Sequence, residues 1–180
     1  MNKKVLLGSI IGIAVVAIIV IMVAVFSAST KSIDIKLDTN YKALIGVKVN
    51  SEVILVVNQK DKVSNIIYLN DESITSLANQ KIEGKDIPTA IELVIDKLKN
   101  NNEFNNGEEL IVTKYEDNGI YSSLIQELNK ECVVYGIDNK MVETTGNIAD
   151  KLNELNIVTG TNTKENIIKL DEYSKELLSK

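Results

Sequence analysis

The 180-residue sequence contains no histidine and no tryptophan, and all of its basic residues are lysines. The missing imidazole removes the commonest general base and metal ligand, and with it any Ser-His-Asp, Cys-His or histidine-based zinc site. A single cysteine, Cys132, rules out an intramolecular disulfide. With no His and no basic cluster near it in sequence, Cys132 reads as a small buried hydrophobe rather than a reactive thiol. Aromatic residues make up only 4% of the chain, and the lysines are scattered singly among Asp and Glu. Neither a stacking platform nor a basic stripe exists, and at a net charge of −5 nucleic acid is excluded as a partner.

Other familiar constellations are also missing. No glycine-rich phosphate loop follows any strand-like run. Glu116 and Asp117 beside Gly119 lack the alternating oxygen ligands and closing Glu of a calcium loop, so "YEDNG" reads as a turn. The carboxylate pairs Asp71-Glu72 and Glu108-Glu109 fall at loop edges, where solvated side chains are the simplest reading. No cofactor and no metal is expected, and the chain does not read as an enzyme.

One long apolar run is present. Residues 5–26 carry no charge, and at about 1.5 Å per residue they reach roughly 30 Å, the thickness of a bilayer's hydrocarbon core. The run exceeds the roughly 7 to 15 apolar residues of a signal peptide, which predicts a retained transmembrane helix. Lys3 and Lys4 place the short side, residues 1–4, in the cytoplasm, although Lys31 and Lys36 weaken the asymmetry. Residues 27–40 then form a juxtamembrane segment, and residues 41–180 a domain outside the cytoplasm. Gly8 and Gly12 form a small-xxx-small pair through which two such helices can pack.

Within the outer segment, Ile33, Ile35 and Leu37 alternate with polar residues, which predicts an edge strand or stalk. The runs "YKALIGVKV", "EVILVV" and "KVSNIIYL" predict three more strands, the last two joined by the turn-rich "NQKD". Ile87, Ala90, Ile91, Val94, Ile95 and Leu98 fall at helical spacing behind Asp86 and Pro88, and the helix ends in the loop "NNNEFNNGEE". "ELIVTKY" predicts a strand, and the face Tyr121, Leu124, Ile125, Leu128, Cys132 a helix. "CVVYGI" predicts another strand, followed by a short helix at Ile148, Leu152 and Leu155. A last helix carries Ile167, Ile168, Leu170, Tyr173, Leu177 and Leu178. Without repeats or a long linker, these elements predict an α+β fold: a two-layer α/β sandwich built on an antiparallel β-meander, behind an N-terminal transmembrane helix.

Three stretches carry a resemblance: "VNSEVILVVNQKDKVSNIIYLNDES", "IEGKDIPTAIELVIDKLKNNNEF" and "ADKLNELNIVTGTNTKENIIKL". They resemble the strand-junction-strand, Gly-Lys-helix and Ile-x-x-Gly-helix segments of the extracytoplasmic middle domain of RsgI-type anti-sigma factors, a SEA-like module. The resemblance implies a single-pass protein of a Gram-positive type cell envelope, and a module cut within its own fold while the two halves stay associated. Two departures stand out. Residues 1–4 are too short to hold a sigma factor, so on this resemblance the signalling output is missing or comes from a partner. The family's Asn-Pro junction is here Asn50-Ser51, with Lys48 where the family tends to carry Asp.

Asn50 and Ser51 are therefore the candidate site residues. The Asn50 side-chain amide, or the Ser51 hydroxyl, can attack the Asn50 carbonyl if the fold strains or holds that peptide. An intact turn or bulge is the plainer reading of an Asn-Ser pair. The expected role is a non-enzymatic sensory or interaction module that binds a protein outside the membrane or a second copy of itself. A self-cleaving module in regulated proteolysis, and a polysaccharide-binding module using Tyr41, Tyr68, Tyr115 and Tyr121, are the alternatives.

Overall fold

The computed structural model describes residues 36–105 and 107–180. Five strands form one sheet: β1 (Tyr41–Lys48), β2 (Glu52–Asn58), β3 (Val63–Tyr68), β4 (Leu110–Asp117) and β5 (Met141–Thr145). The spatial order is β3-β2-β1-β4-β5, so β1 lies at the centre. The first four strands pair antiparallel, and β5 joins β4 in parallel. Among the described residues five α-helices accompany the sheet: α1 (Asp71–Leu77), α2 (Ile87–Asn100), α3 (Tyr121–Tyr135), α4 (Ile148–Glu154) and α5 (Thr163–Leu178).

The α+β class and the β1-β2-β3 meander agree with the sequence reading, but the sandwich has three layers rather than two. Ala43, Ile45, Val47, Val53, Leu55 and Val57 point to one face and pack with Ile91, Val94, Ile95, Leu98, Leu124 and Leu128 of α2 and α3. Their neighbours Leu44, Ile54, Val56 and Ile67 point to the other and pack with Ile148, Leu152, Ile167 and Leu170 of α4 and α5. A strand buried on both faces has no polar alternation, which is why "VILVV" is an unbroken apolar run.

Helix α2 starts at the expected place, with Asp86 accepting from the Thr89 N–H and Pro88 in the first turn. Helix α3 runs further than expected. Val133 and Val134 belong to it rather than to a strand, and they are 64% and 68% exposed. The helix stops at Gly136, whose φ of 68° lets the Ile137 N–H reach back to the Cys132 carbonyl at 2.8 Å. The strand that follows is β5, four of whose five residues are exposed. Lys36 and Leu37 lie outside any strand, and Leu37 is buried beside α4 and α5. The rest of the proposed edge strand, the apolar run at 5–26 and the tail at 1–4 lie outside the described residues. Among the described residues no helix is long and apolar enough to cross a membrane.

Candidate functional site at the Asn50-Ser51 junction

Strands β1 and β2 are paired up to Lys48 and Glu52, which leaves Val49, Asn50 and Ser51 as a three-residue hairpin loop. The Val49 N–H closes it on the Ser51 carbonyl at 2.9 Å. Asn50 is exposed, whereas Ser51 is only 1% exposed. The junction thus sits at the end of the central strand with one residue in water and the next in the interior.

The buried side of this loop is held by residues the sequence reading passed over. Glu103, 5% exposed, accepts the Ser51 N–H on Oε2 at 2.7 Å and the Ser51 hydroxyl on Oε1 at 2.6 Å. The hydroxyl of Ser76, on α1, also donates to Oε1, at 2.8 Å. An ionised carboxylate only accepts, so all three donors are matched to it. The Asn50 carbonyl accepts from Asn70 Nδ2 at 2.6 Å. Every polar atom of the Asn50-Ser51 peptide, together with the Ser51 hydroxyl, therefore has a fixed partner.

Local sequence explains how these partners arrive. Asn70 caps α1: its Oδ1 accepts from the Ser73 N–H at 3.0 Å and, in the same stroke, from the Glu52 N–H at 3.0 Å. The helix cap and the hairpin loop share one amide, whose remaining N–H points at Asn50. Asp71 and Glu72 are exposed in the first turn of α1, where negative charge suits the helix dipole. Glu103 comes from the end of α2. Asn102 adopts a left-handed φ of 62°, and the Glu103 N–H bonds the Leu98 carbonyl at 3.1 Å, a Schellman turn that aims Glu103 and Phe104 inward. Asn50 and Ser51 themselves have no left-handed φ, so what the junction carries is hydrogen bonding rather than backbone strain.

The strand ends flanking the loop are tied to α4. Lys151, 7% exposed, donates to Glu52 Oε1 and Glu154 Oε2, both at 2.5 Å, and Lys48 lies 3.3 Å from Glu52. Burial disfavours the charged Lys151, but its hydrogen bonds to Glu154 and Glu52 outweigh this and raise its pKa. The bond from Lys151 holds the Glu154 carboxyl below its ordinary value. Lys48 thus joins this ion network.

The remaining candidates do not gather into a site. Tyr68 is buried on the α2-α3 side, where Tyr121 also packs with Lys114 Nζ 5.0 Å from its ring centre. Tyr41 and Tyr115 pack on the opposite side of the sheet, so the four rings form no shared platform. Cys132 is fully buried, and burial, with Asp138 and Glu131 nearby, pushes its thiol up to about 11. Asp117 accepts from the Ile120 and Tyr121 N–H groups and so opens α3 from a plain turn. Among the described residues no cluster of His, Cys, Asp or Glu has the makings of a metal site.

No curated protein matches the chain. The family model of the anti-sigma factor RsgI-like central domain matches residues 42–176, from the start of β1 into the last turns of α5. That span includes β1 but for Tyr41, strands β2 to β5 whole, the Asn50-Ser51 loop, Asn70 and Glu103, and the chain accordingly belongs to the family of anti-sigma factor RsgI-like central domains.

Proposed function

We propose that this protein is a single-pass, membrane-anchored sensory or interaction module of a Gram-positive type cell envelope, with residues 41–180 displayed outside the cytoplasm. The observation that carries this reading is the RsgI-like central domain at 42–176 preceded by the uncharged apolar run at 5–26. The module works without turnover chemistry, by holding a protein partner or a second copy of itself. An alkaline phosphatase fused to the C-terminus tests the topology: activity in intact cells is the expected outcome, and an inactive fusion found in the soluble cytosolic fraction would overturn it.

A second reading is favoured by one specific arrangement, the Glu103 and Asn70 contacts on the two sides of the Asn50-Ser51 peptide. On this reading the module cuts itself there and serves regulated proteolysis. Cleavage leaves β1 attached to the membrane side while still paired with β2 and β4. Intact mass of the full chain tests it: two fragments meeting at that bond support cleavage, and one uncut species rejects it.

A further inference from the structure

Resting on the interaction reading, we infer that the partner is a second copy of this chain, paired edge to edge through β5 in an antiparallel register centred on Glu143. The two edges of the sheet differ. At the β3 edge the Val63 N–H and C=O bond Lys85 and Gly84, and the Tyr68 N–H bonds the Ser174 hydroxyl at 2.9 Å, so that edge is covered. Strand β5 pairs only with β4. The Gly146 N–H donates to the Lys114 carbonyl at 3.0 Å, which fixes the alternation: Val142 and Thr144 turn their backbone groups to β4, and Met141, Glu143 and Thr145 turn theirs outward. None of those outward groups has a partner among the described residues. Strand β5 also has none of the devices that blunt an edge. Its "MVETT" carries no proline and no lysine, runs in unbroken register with β4, and is exposed at four of its five residues.

What commits this edge to its own copy is symmetry. The outward residues sit evenly about Glu143. Under a two-fold axis through that position Glu143 faces the partner's Glu143, and Met141 faces the partner's Thr145. Residues that face each other with outward groups exchange both backbone bonds, so every outward N–H and C=O of β5 is satisfied without a shift of either strand. The axis stands perpendicular to the sheet, and both copies therefore show the same face to the same side. Leu37, beside the start of the described chain, packs on the α4-α5 side, so both chains begin on one side of the joined sheet, as two copies anchored in one membrane require. Glu143 is exposed and makes no ion pair among the described residues, and like charges directly opposite each other weaken a strand pair. The contact is therefore reversible, and it closes where anchoring concentrates the copies.

The test uses the full chain reconstituted in lipid vesicles, with single cysteines placed in β5 and a mild oxidant. Residues that face each other in such a pair have Cα atoms roughly 5.5 Å apart, within the roughly 4.4 to 6.8 Å that a disulfide spans. Glu143→Cys should therefore cross-link to a dimer at least about tenfold faster than Val142→Cys or Thr144→Cys alone, whereas Val142→Cys mixed with Thr144→Cys should cross-link readily. Cys132, fully buried, stays out of the reaction. Charge supplies a second readout. In detergent, by sedimentation, wild type mixed with Glu143→Lys should associate about tenfold more tightly than wild type alone, because an opposite-charge pair replaces a like-charge one. Equal cross-linking at 142, 143 and 144 would overturn the pairing. A dimer that ignores Glu143→Lys and cross-links at none of these positions would overturn it too, while leaving the interaction reading to another surface. A chain that stays monomeric in vesicles and detergent would overturn the second copy as partner, and the phosphatase fusion decides the topology separately.

Discussion

Replacing Glu103 should show how strongly the hairpin loop depends on it, and comparing Glu103→Ala with Glu103→Gln isolates what the end of its side chain contributes. Glutamine preserves the two methylenes, one acceptor for the Ser51 N–H, and a donor to which the hydroxyls of Ser51 and Ser76 can turn. Alanine leaves that N–H without a partner beside a residue only 1% exposed. An unsatisfied buried amide costs about 1 to 3 kcal/mol, and the one buried methylene lost, since alanine keeps Cβ, contributes about 0.8 kcal/mol. Rotation of the two hydroxyls toward each other recovers part of this, so the difference between the variants should be about 1.5 to 3 kcal/mol. For a domain of this size that corresponds to roughly 10 °C in Tm. Urea unfolding of residues 36–180, read at equal m-values, measures it. A difference below about 0.5 kcal/mol would refute the claim that Glu103 anchors the loop.

Further outcomes follow from other contacts. A Cβ at Gly46, in the central strand, would meet the Tyr115 ring at 2.8 Å. Gly46→Ala should therefore cost about 1 to 3 kcal/mol, and Tyr115→Leu in the same chain should relieve most of it, as a double-mutant cycle in urea will read. The Lys151 network should widen the pH range of stability. Lys151 has a raised pKa when folded, so its contribution is full below the ordinary lysine value of 10.5 and fades as pH rises through its folded value. Glu154 has a lowered pKa, so its contribution is full above 4.5 and fades as pH falls through its folded value. Lys151→Met should flatten both flanks of the Tm-pH profile, and an unchanged profile would contradict the assignment. Cys132, fully buried with its thiol pushed up to about 11, should resist a disulfide reagent at pH 8 in the native protein and react at once in urea.

The elements that the sequence reveals are those whose burial is one-sided and periodic. Helix α2 buries Ile87, Ala90, Ile91, Val94, Ile95 and Leu98, which are the residues its 3.6-residue period picks out. β5 escaped because "MVETT" has only one neighbouring strand and almost no buried side chain, so selection for alternating polarity is weak. Val133 and Val134 misled for the opposite reason: β-branched residues suggest a strand, but they lie on the exposed face of a helix whose other face was already committed by Leu124, Leu128 and Cys132. The third layer left a sign in the unbroken apolar runs of β1 and β2, which only make sense if both faces are covered.

The site was half legible. Asn50 and Ser51 were visible as a polar break between two apolar runs. Glu103 was not, because it stands in an Asn-rich loop where a carboxylate reads as solvated. Its neighbour Phe104, 3% exposed, was the available sign that this loop turns inward. Asn70 had a local signal too, as the first residue of an Asn-x-x-Ser helix start. What no local pattern could supply is the convergence of residues 50, 51, 70, 76 and 103 on one peptide, which depends on α1 and the end of α2 meeting the β1-β2 loop.

The most direct measurement is N-terminal analysis of the protein isolated from its own membranes. The cleavage reading predicts a free amino terminus reading Ser51-Glu52-Val53, recovered in complex with a membrane-side fragment that ends in an Asn50 carboxylate. Recovery of only the continuous peptide through Val49, Asn50, Ser51 and Glu52 would contradict it.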